Sequence, residues 1–381
     1  MEMESQTVAV ELQSASTTPA PAARVHMLDV VRGWCMFFIA GGDALCLALC
    51  LAFPQLPFAA WVRAQLDHVQ WEGFTFYDGL FPTFLLISGA AFTYSWRRQE
   101  RMGVALSKRW LRLALRTLLL IFLGIVYNGA LAKTDWQTIR YASVLARIGL
   151  GVALAAIAYV NLPQRWRWTF FPIGLLAYVG LFAWCGGEAP YAMRNNWAAA
   201  IDRAFLPGVA DASGFDGLDP EGIVSTLGAI FTAYLGMLLA DCLRSTWRYK
   251  ALWIACGGVL LLGVGYGCAP WVPIVKKLWT ATYVCVAGGW SLLFCSVIYC
   301  LTDLLRLHRW FFPITFFGVG VLWCYLLPKV FDFYGASWRL LGGITQVLTA
   351  NDALHRAVCA SGALVLLWLS VWVIRKALRT H

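Results

Sequence analysis

The feature that most constrains this chain is a series of long apolar segments separated by short loops rich in basic residues. A helix that crosses a bilayer needs about 20 mostly apolar residues. The segments that meet this need lie at 29–53, 74–96, 110–132, 141–160, 169–187, 223–243, 251–269, 278–302, 311–330 and 357–376. Hydrophobic residues make up 60% of the chain and charged residues 13%, whereas soluble domains carry roughly 45–50% and about 25%. We therefore predict an all-α, polytopic membrane protein with about ten transmembrane helices.

The loops predict how the chain is oriented. Alternate loops and the C-terminal tail hold the denser clusters of Lys and Arg, which in membrane proteins remain in the cytoplasm. Both termini are therefore expected on the cytoplasmic side, and the loops at 54–73, 188–222 and 331–356 on the outer side. The net charge of +10 is explained by these loops and does not require nucleic acid as a partner. The polar residues 1–23 are expected to form a disordered cytoplasmic tail.

The twelve cysteines give no sign of a metal centre. They lie singly in apolar runs, with no C-x-x-C pair and no cluster with histidine. Buried cysteine packs as a small hydrophobic side chain. We therefore predict neither disulfides nor a bound metal.

The first predicted span carries three ionisable residues. Charges inside a bilayer are costly unless they are paired or hydrated, so each one is a candidate functional residue. In a continuous helix Asp29, Arg32 and Asp43 would share one face, because eleven residues bring the chain back to nearly the same direction. Asp29 and Arg32 fit an internal ion pair equally well. Asp43 follows Gly41 and Gly42 and has no local cation, so a functional role is favoured for it.

Other polar residues lie near the outer ends of the spans. His68 precedes the second span, Asp78 lies about one turn inside that span, and Arg147 lies about two turns inside the fourth. Histidine is the commonest general acid or base in enzymes. These three residues, together with Asp43, are the candidates for catalysis.

Two further outer stretches have ordinary structural explanations. In Asp219-Pro220-Glu221, an N-cap followed by proline and an acid in the first turn predicts a helix start. Lys276 and Trp279 are typical of anchors at the membrane interface. Both stretches nevertheless lie on the same predicted outer side as the candidate catalytic residues, so a functional role is also considered for them.

A basic cluster lies on the predicted cytoplasmic side. It comprises Arg97, Arg98, Arg101, Lys108, Arg109, Arg112 and Arg116. Arginine suits phosphate groups because its planar fork donates two parallel hydrogen bonds. Topology determination and contacts with anionic headgroups explain most of the cluster equally well. Arg112 and Arg116 are harder to explain in that way, because they lie inside the third span.

Several stretches carry a resemblance to a known family. Residues 24–33 read R-V-H-M-L-D-V-V-R-G, and residues 68–82 read H-V-Q-W-E-G-F-T-F-Y-D-G-L-F-P. They resemble the patterns R-x-x-S-x-D-x-x-R-G and H-x-x-W-x-G-x-T-x-x-D-x-x-F-P of heparan-α-glucosaminide N-acetyltransferase and its bacterial relatives. The stretches 136–147, 219–226 and 273–280 agree in the same order. The resemblance covers essentially residues 24–376.

The resemblance implies a reaction across a membrane. Such enzymes take acetyl from cytosolic acetyl-CoA and deliver it to the amine of a terminal glucosamine on the far side. It implies that residues 24–381 form a single transmembrane acyltransferase domain in a bacterial inner membrane, and by analogy a homodimer. His68 then corresponds to the catalytic histidine. Asp43 stands where the family has an asparagine.

The candidate residues can be assigned on this basis. Arg32, Arg97, Arg98, Arg112 and Arg116 are expected to bind the phosphates of coenzyme A. His68 is expected to act as general base or to be transiently acetylated, with Asp43 or Asp78 orienting its ring and Arg147 stabilising the oxyanion. The residues expected to contact the amino-sugar acceptor are Trp71, Glu221, Lys276 and Trp279.

Two other classes of protein fit parts of the sequence. A transporter or permease for aminosugars would use the buried charges to carry a proton or a sugar without making a bond. A membrane scaffold or lipid-binding protein would leave the charges of the first span unexplained. Dependence on acetyl-CoA distinguishes the enzyme from the transporter, because a transporter would move sugar in its absence.

Overall fold

The structure, a computed structural model, describes residues 25–208, 215, 217–348 and 350–378. The described residues are largely helical and contain no β-strand. The all-α class expected from the sequence is therefore confirmed. The tail expected at residues 1–23 lies outside the described residues.

Fifteen helices in the described chain are numbered here in order. They are α1 His26–Phe37, α2 Asp43–Ala52, α3 Ala59–Gln65, α4 Phe76–Arg101, α5 Leu106–Tyr127, α6 Val144–Asn161, α7 Arg167–Cys185, α8 Trp197–Phe205, α9 Ile223–Arg244, α10 Lys250–Gly267, α11 Ala281–Tyr299, α12 Phe312–Val319, α13 Val321–Val330, α14 Phe333–Leu348 and α15 Asp352–Ala377.

Many of these helices are suited to a bilayer. Eight helical stretches of the described chain are long and apolar enough to cross a membrane. The number rises to nine if Leu307–Val319 and Val321–Val330, which contain α12 and α13 and are bent by 60° at Gly320, form one further span. A polytopic membrane protein is thus confirmed, while the count of about ten and the location of the termini stay predictions. The span expected at 74–96 corresponds to α4, which is long but less apolar than these stretches.

The first predicted span is broken, which corrects the expectation for its charges. A π-helical segment, Phe38–Gly42, separates α1 from α2, and Gly41 within it has a φ of 123°. Only glycine adopts such an angle at little cost. The calculation that placed Asp29, Arg32 and Asp43 on one face assumed a continuous helix, and this assumption does not hold across Phe38–Gly42. Asp43 instead begins α2.

The centre of the molecule is the contact between α4 and α9. A Cβ atom at Gly89 would lie 2.0 Å from the carbonyl oxygen of Ala233, and one at Gly236 would lie 1.8 Å from that of Leu86. The two backbones therefore touch, as small residues permit in membrane helices. This contact fixes α4 in the middle of the fold, with a rise of about 39 Å over its 26 residues.

The region expected as the outer loop 331–356 contains a helix. The 16 residues of α14, Phe333–Leu348, pack against α15. Apolar length does not indicate this helix, because its 16 residues are fewer than the roughly 20 that a membrane span needs. The other long loop expected on the outer side, 188–222, contains the short helix α8.

Candidate active site

Asp78 is fixed by the way in which α4 begins. Thr75 is the N-cap, and its hydroxyl and the Asp78 carboxylate form a capping box. The Thr75 hydroxyl also donates to Asp78 Oδ2 at 3.0 Å, and the Val69 amide donates to the same oxygen at 3.3 Å. The side chain of Asp78 is 1% exposed. One carboxylate oxygen is thus occupied by the local fold, and Oδ1 is left for other partners.

The other oxygen of Asp78 contacts two basic groups. Asp78 Oδ1 lies 2.7 Å from Nδ1 of His68 and 3.0 Å from Nζ of Lys276, and these two nitrogens are 3.1 Å apart. An ionised Asp78 accepts from both, so His68 carries its proton on Nδ1 and keeps the lone pair of Nε2. The His68 side chain is 53% exposed. The arrangement is that of an oriented base that a substrate can reach.

Lys276 reaches this place because two distant loops are joined. The Gly73 amide donates to the Ile274 carbonyl at 2.9 Å, and Glu72 and Val275 form an antiparallel bridge. Burial lowers the pKa of Lys276, and the neighbouring Asp78 carboxylate partly offsets this effect. Lys276, expected to contact the acceptor or to anchor the interface, is here a direct partner of Asp78.

Asp43 approaches His68 through a residue that the sequence analysis missed. The Tyr77 hydroxyl donates to Asp43 Oδ2 at 2.7 Å, and the Tyr77 ring centroid lies 4.8 Å from that of His68. The only signal for Tyr77 in the sequence is its place beside Asp78. Asp78 therefore contacts the histidine directly, whereas Asp43 is linked to it through Tyr77.

Arg147 lies in a separate cluster. It is 2% exposed, donates to the Pro220 carbonyl at 2.6 Å and to the Ser225 hydroxyl, and its guanidinium lies 4.8 Å from the Trp279 ring centroid. Among the described contacts, none joins Arg147 to His68. The two residues therefore share no direct contact, although the positive charge of Arg147 also acts on Lys276, which contacts His68.

The acids around Pro220 bind arginine and do not cap α9, which corrects the expected helix start. Arg140 donates to Asp219 at 2.6 and 2.7 Å and also to Glu221. The helix begins at Ile223, whose amide donates to Asp202 Oδ1 at 2.9 Å. Asp202 thus supplies the cap from α8, and burial raises its pKa to about 6.

The two tryptophans expected to contact the acceptor differ in accessibility. Trp71 is half-buried, and its indole N–H donates to the Tyr191 carbonyl at 3.1 Å. Trp279 is fully buried, and its indole N–H donates to the Thr232 hydroxyl at 3.0 Å. Its ring packs against Phe81. The structure therefore gives Trp279 a packing position and leaves only Trp71 partly accessible.

Two adjacent cavities lie along α4 and share lining residues near its C-terminal end. One has a volume of about 410 Å³ and is lined by Arg98, Arg109, Arg112 and Arg116. The second, of about 550 Å³, is mostly apolar and has Arg32 in its wall. Ser95 and Arg116 line both cavities. A basic mouth thus continues into an apolar interior.

One face of α4 links these cavities to His68. Its residues recur at intervals of three and four, which places them in one stripe. The stripe comprises Tyr77, Phe81, Phe84, Ser88, Ala91, Ser95, Arg98 and Met102. Tyr77 contacts His68, Phe81 lies one turn further along, and Phe81 and Ser95 are about 21 Å apart along the axis. The stripe therefore runs from the histidine to the arginines.

The fold separates the arginines that were expected to bind phosphate and gives them different partners. Arg97 lies 3.8 Å from Asp241, which also pairs with Arg167 at 3.7 Å and Arg244 at 2.7 Å. Arg97 therefore faces away from the cavity that Arg98 lines, because consecutive helical residues point about 100° apart. Arg32 pairs with Asp29 at 3.6 Å and also lines the apolar cavity.

Comparison with known proteins gives two similar sequences. Heparan-alpha-glucosaminide N-acetyltransferase of Homo sapiens is 23% identical over 343 residues, and that of Mus musculus is 22% identical over 340 residues. Each alignment covers 72% of this chain and 50% of the relative, so the chain spans about half the length of the curated relatives it matches. No family model matches the chain. The resemblance carried by the motifs is thereby confirmed, and the chain is a relative of the heparan-alpha-glucosaminide N-acetyltransferases.

Proposed function

We propose that the chain is a transmembrane N-acetyltransferase. It takes acetyl from acetyl-CoA at the arginine-lined end of α4 and transfers it to the amine of a glucosamine-type sugar at the His68 end. The observation that carries the proposal is the stripe along α4 that joins the His68–Asp78 pair to the basic mouth. The names of the two similar proteins supply the reaction class.

The donor is expected to enter at the basic mouth. Arg98, Arg112 and Arg116 present guanidinium groups that suit the phosphates of coenzyme A. The apolar cavity beyond Arg116 suits the pantetheine arm, which is less polar than the nucleotide. Arg97 is left out of this assignment because it pairs with Asp241.

His68 is assigned the role of general base. Its Nε2 takes a proton from the attacking amine as the C–N bond forms and the C–S bond of the thioester breaks. The proton then passes to the departing thiolate of coenzyme A. Asp78 stabilises the imidazolium that exists between these steps, as the acid of a catalytic triad does.

The two ends of α4 are assigned to two compartments. The basic loops favour a cytoplasmic location for the Arg98 end, because Lys and Arg tend to remain inside. The His68 end then faces the periplasm of a bacterial inner membrane, where the amino sugar is acetylated. This arrangement lets a cytosolic donor serve an acceptor that never crosses the membrane.

The proposal is tested by acetylation of glucosamine with labelled acetyl-CoA. The purified protein in detergent is compared with His68→Gln and with Glu72→Gln, an exposed neighbour in the same loop. Product from the wild type and Glu72→Gln, with none from His68→Gln, would support the assignment. Turnover by His68→Gln at the wild-type rate would refute the role of His68. Uptake of glucosamine into vesicles without acetyl-CoA would instead favour an aminosugar transporter.

A further inference from the structure

A cavity of about 620 Å³ lies between α2, α3 and the loop that leads to His68. Its charged lining residues are Asp43, Arg63 and Asp67, and the rest of its described wall is apolar. Asp67 is the chain neighbour of His68, and Asp43 binds the hydroxyl of Tyr77, whose ring lies beside that of His68. The cavity is therefore next to the proposed general base.

The charged groups of this cavity differ in what they already bind. Both oxygens of Asp43 accept hydrogen bonds, one from the Tyr77 hydroxyl at 2.7 Å and the other from the following backbone amide at 2.8 Å. Asp67 Oδ1 accepts from the following amide at 2.8 Å, whereas Oδ2 has no donor among the described groups. Arg63 is exposed, and none of the described groups accepts from its guanidinium. One carboxylate oxygen and one guanidinium are thus available to a ligand.

The position of the cavity along the fold is given by the packing of α2 against α15. At the end of α2, the Asn351 side-chain amide donates to the Ala52 carbonyl at 3.3 Å. At the other end, a Cβ atom at Gly41 would lie 3.8 Å from a methyl group of Leu364. The two helices therefore run antiparallel and side by side from Asp43 outward.

This packing places Asp43 at the depth of an apolar layer. The stretch 357–374 of α15 has no charged residue and a rise of about 27 Å, which is close to the thickness of the hydrocarbon core of a bilayer. Leu364 lies about 10 Å inside this stretch, and Gly41 lies beside Leu364. Asp43, two residues after Gly41, is then also inside the layer. A charged cavity at this depth is expected to serve a function.

The cavity continues into an exposed apolar face of α2. Ala44, Leu47 and Leu51 recur at intervals of three and four, so they share one side of the helix. Ala44 and Leu47 line the cavity, and Leu47 and Leu51 are exposed. A ligand that fits both parts has a polar group with a negative charge for Arg63 and an adjoining apolar chain for α2.

We propose that the acceptor is an amino sugar joined through a phosphate to a lipid of the surrounding membrane. This inference rests on the proposed function and specifies its acceptor. The sugar lies in the cavity with its amine towards His68, and Asp67 accepts from a sugar hydroxyl. Arg63 binds the phosphate, and the lipid chain lies against Leu47 and Leu51. Delivery of the acceptor from within the bilayer accounts for a polar cavity at this depth.

The test compares four acceptors with labelled acetyl-CoA and the full chain in lipid nanodiscs. They are glucosamine, glucosamine 1-phosphate, dodecyl glucosaminide and dodecyl glucosamine 1-phosphate, in which the phosphate joins the sugar to the chain. We expect dodecyl glucosamine 1-phosphate to have the highest kcat/KM, by about tenfold or more, because it alone has both the charge and the chain. Equal kcat/KM for glucosamine and dodecyl glucosamine 1-phosphate would overturn the lipid-linked acceptor and leave acetyl transfer intact.

Variants separate binding in the cavity from simple enrichment of the acceptor in the bilayer. Arg63→Gln should lower kcat/KM for dodecyl glucosamine 1-phosphate about tenfold and leave that for dodecyl glucosaminide little changed, because a charge-assisted hydrogen bond to phosphate is lost. The control Arg339→Gln removes an exposed cation of α14 and should behave as the wild type. Leu47→Ala should lower kcat/KM for both dodecyl acceptors about threefold. Leu176→Ala, at an exposed position of α7, should not.

Native mass spectrometry of the complex with dodecyl glucosamine 1-phosphate distinguishes this inference from acetyl transfer itself. Binding that Arg63→Gln weakens, without acetylation of any acceptor, would support the lipid-linked ligand and refute the transfer. Absence of both binding and acetylation would overturn both. Wild-type binding and turnover of dodecyl glucosamine 1-phosphate by Arg63→Gln would overturn the phosphate site.

Discussion

Two ionic clusters, one near the start of α4 and one near the start of α9, differ in how accessible their side chains are. In the His68 cluster (His68, Asp78, Lys276) the Asp78 carboxylate contacts both His68 and Lys276. The histidine is half-exposed, and its Nε2 makes none of the described contacts. In the Arg140 cluster (Arg140, Arg147, Asp219, Glu221) two arginines and two acids hold a turn, and Arg147 is fully buried. The first thus keeps an accessible ring nitrogen, as the proposed general base requires, whereas the described groups of the second bind one another. Charge inside a membrane protein therefore does not by itself identify a catalytic residue.

The strongest test of this contrast compares two carboxylates. Asp78→Asn should lower the rate of acetyl transfer by roughly 10³–10⁴-fold, because an amide no longer fixes the Nδ1–H form of His68. Asp219→Asn should leave the rate per folded molecule close to that of the wild type. Steady-state assays corrected for folded protein measure both. Equal losses in the two variants would erase the distinction between the clusters.

The next test removes the buried cation of the Arg140 cluster. Arg147→Met should destabilise the protein by about 1–3 kcal/mol, because the Pro220 carbonyl and the Ser225 hydroxyl lose their buried donor. Thermal unfolding in detergent measures the change, with Arg63→Met, an exposed arginine of α3, as the control. Wild-type stability combined with a large loss of kcat would instead place Arg147 in the chemistry.

The third test uses pH. The pKa of Asp202 is raised by burial to about 6, so the folded state binds this proton more tightly than the unfolded state. The contribution of Asp202 to stability should therefore fall by about 1–3 kcal/mol as the pH rises from about 4 to 7. Asp202→Asn copies the protonated form and should flatten this dependence in thermal unfolding, whereas the exposed Asp135→Asn should not. Parallel pH curves for the wild type and Asp202→Asn would contradict the prediction.

The smallest expected effect concerns Lys276. Lys276→Met should lower kcat about tenfold, which corresponds to about 1.4 kcal/mol. Burial lowers the pKa of Lys276. The wild type should therefore lose activity at a lower alkaline pH than it would if this lysine were exposed. The variant should lack that alkaline decline. A decline at the same pH in the pH–rate profile of the variant would assign it to another group.

The spans were predictable from the sequence because length and apolarity suffice to identify them. The breaks within them were not. Gly33 and Gly318 let α1 and α12 touch, since a Cβ at Gly33 would lie 2.0 Å from the Ile314 carbonyl oxygen and one at Gly318 would lie 2.3 Å from that of Asp29. Such contacts join residues almost 300 positions apart. The break at Gly41, where φ is 123°, was not predictable either, because glycine occurs inside continuous helices as well as at breaks.

The site was predictable to a similar extent. His68 and Asp78 lie in one motif, and their direct contact follows from the short loop between them. Lys276 joins them only through backbone pairing between loops some two hundred residues apart. The different fates of Arg97 and Arg98 depend on the rotational setting of α4, which the contact with α9 determines.

The stripe on α4 spans a fixed distance along the helix axis. The interval of about 21 Å between Phe81 and Ser95 is set by a count of residues in one helix and not by flexible loops. A donor whose thioester arm is shorter or longer than this interval would misplace its acetyl group even if its phosphates were held correctly. Inserting one residue between them would also turn the two halves of the stripe about 100° apart. If the proposed donor lies along this stripe, its length has to match the spacing of residues in a single helix.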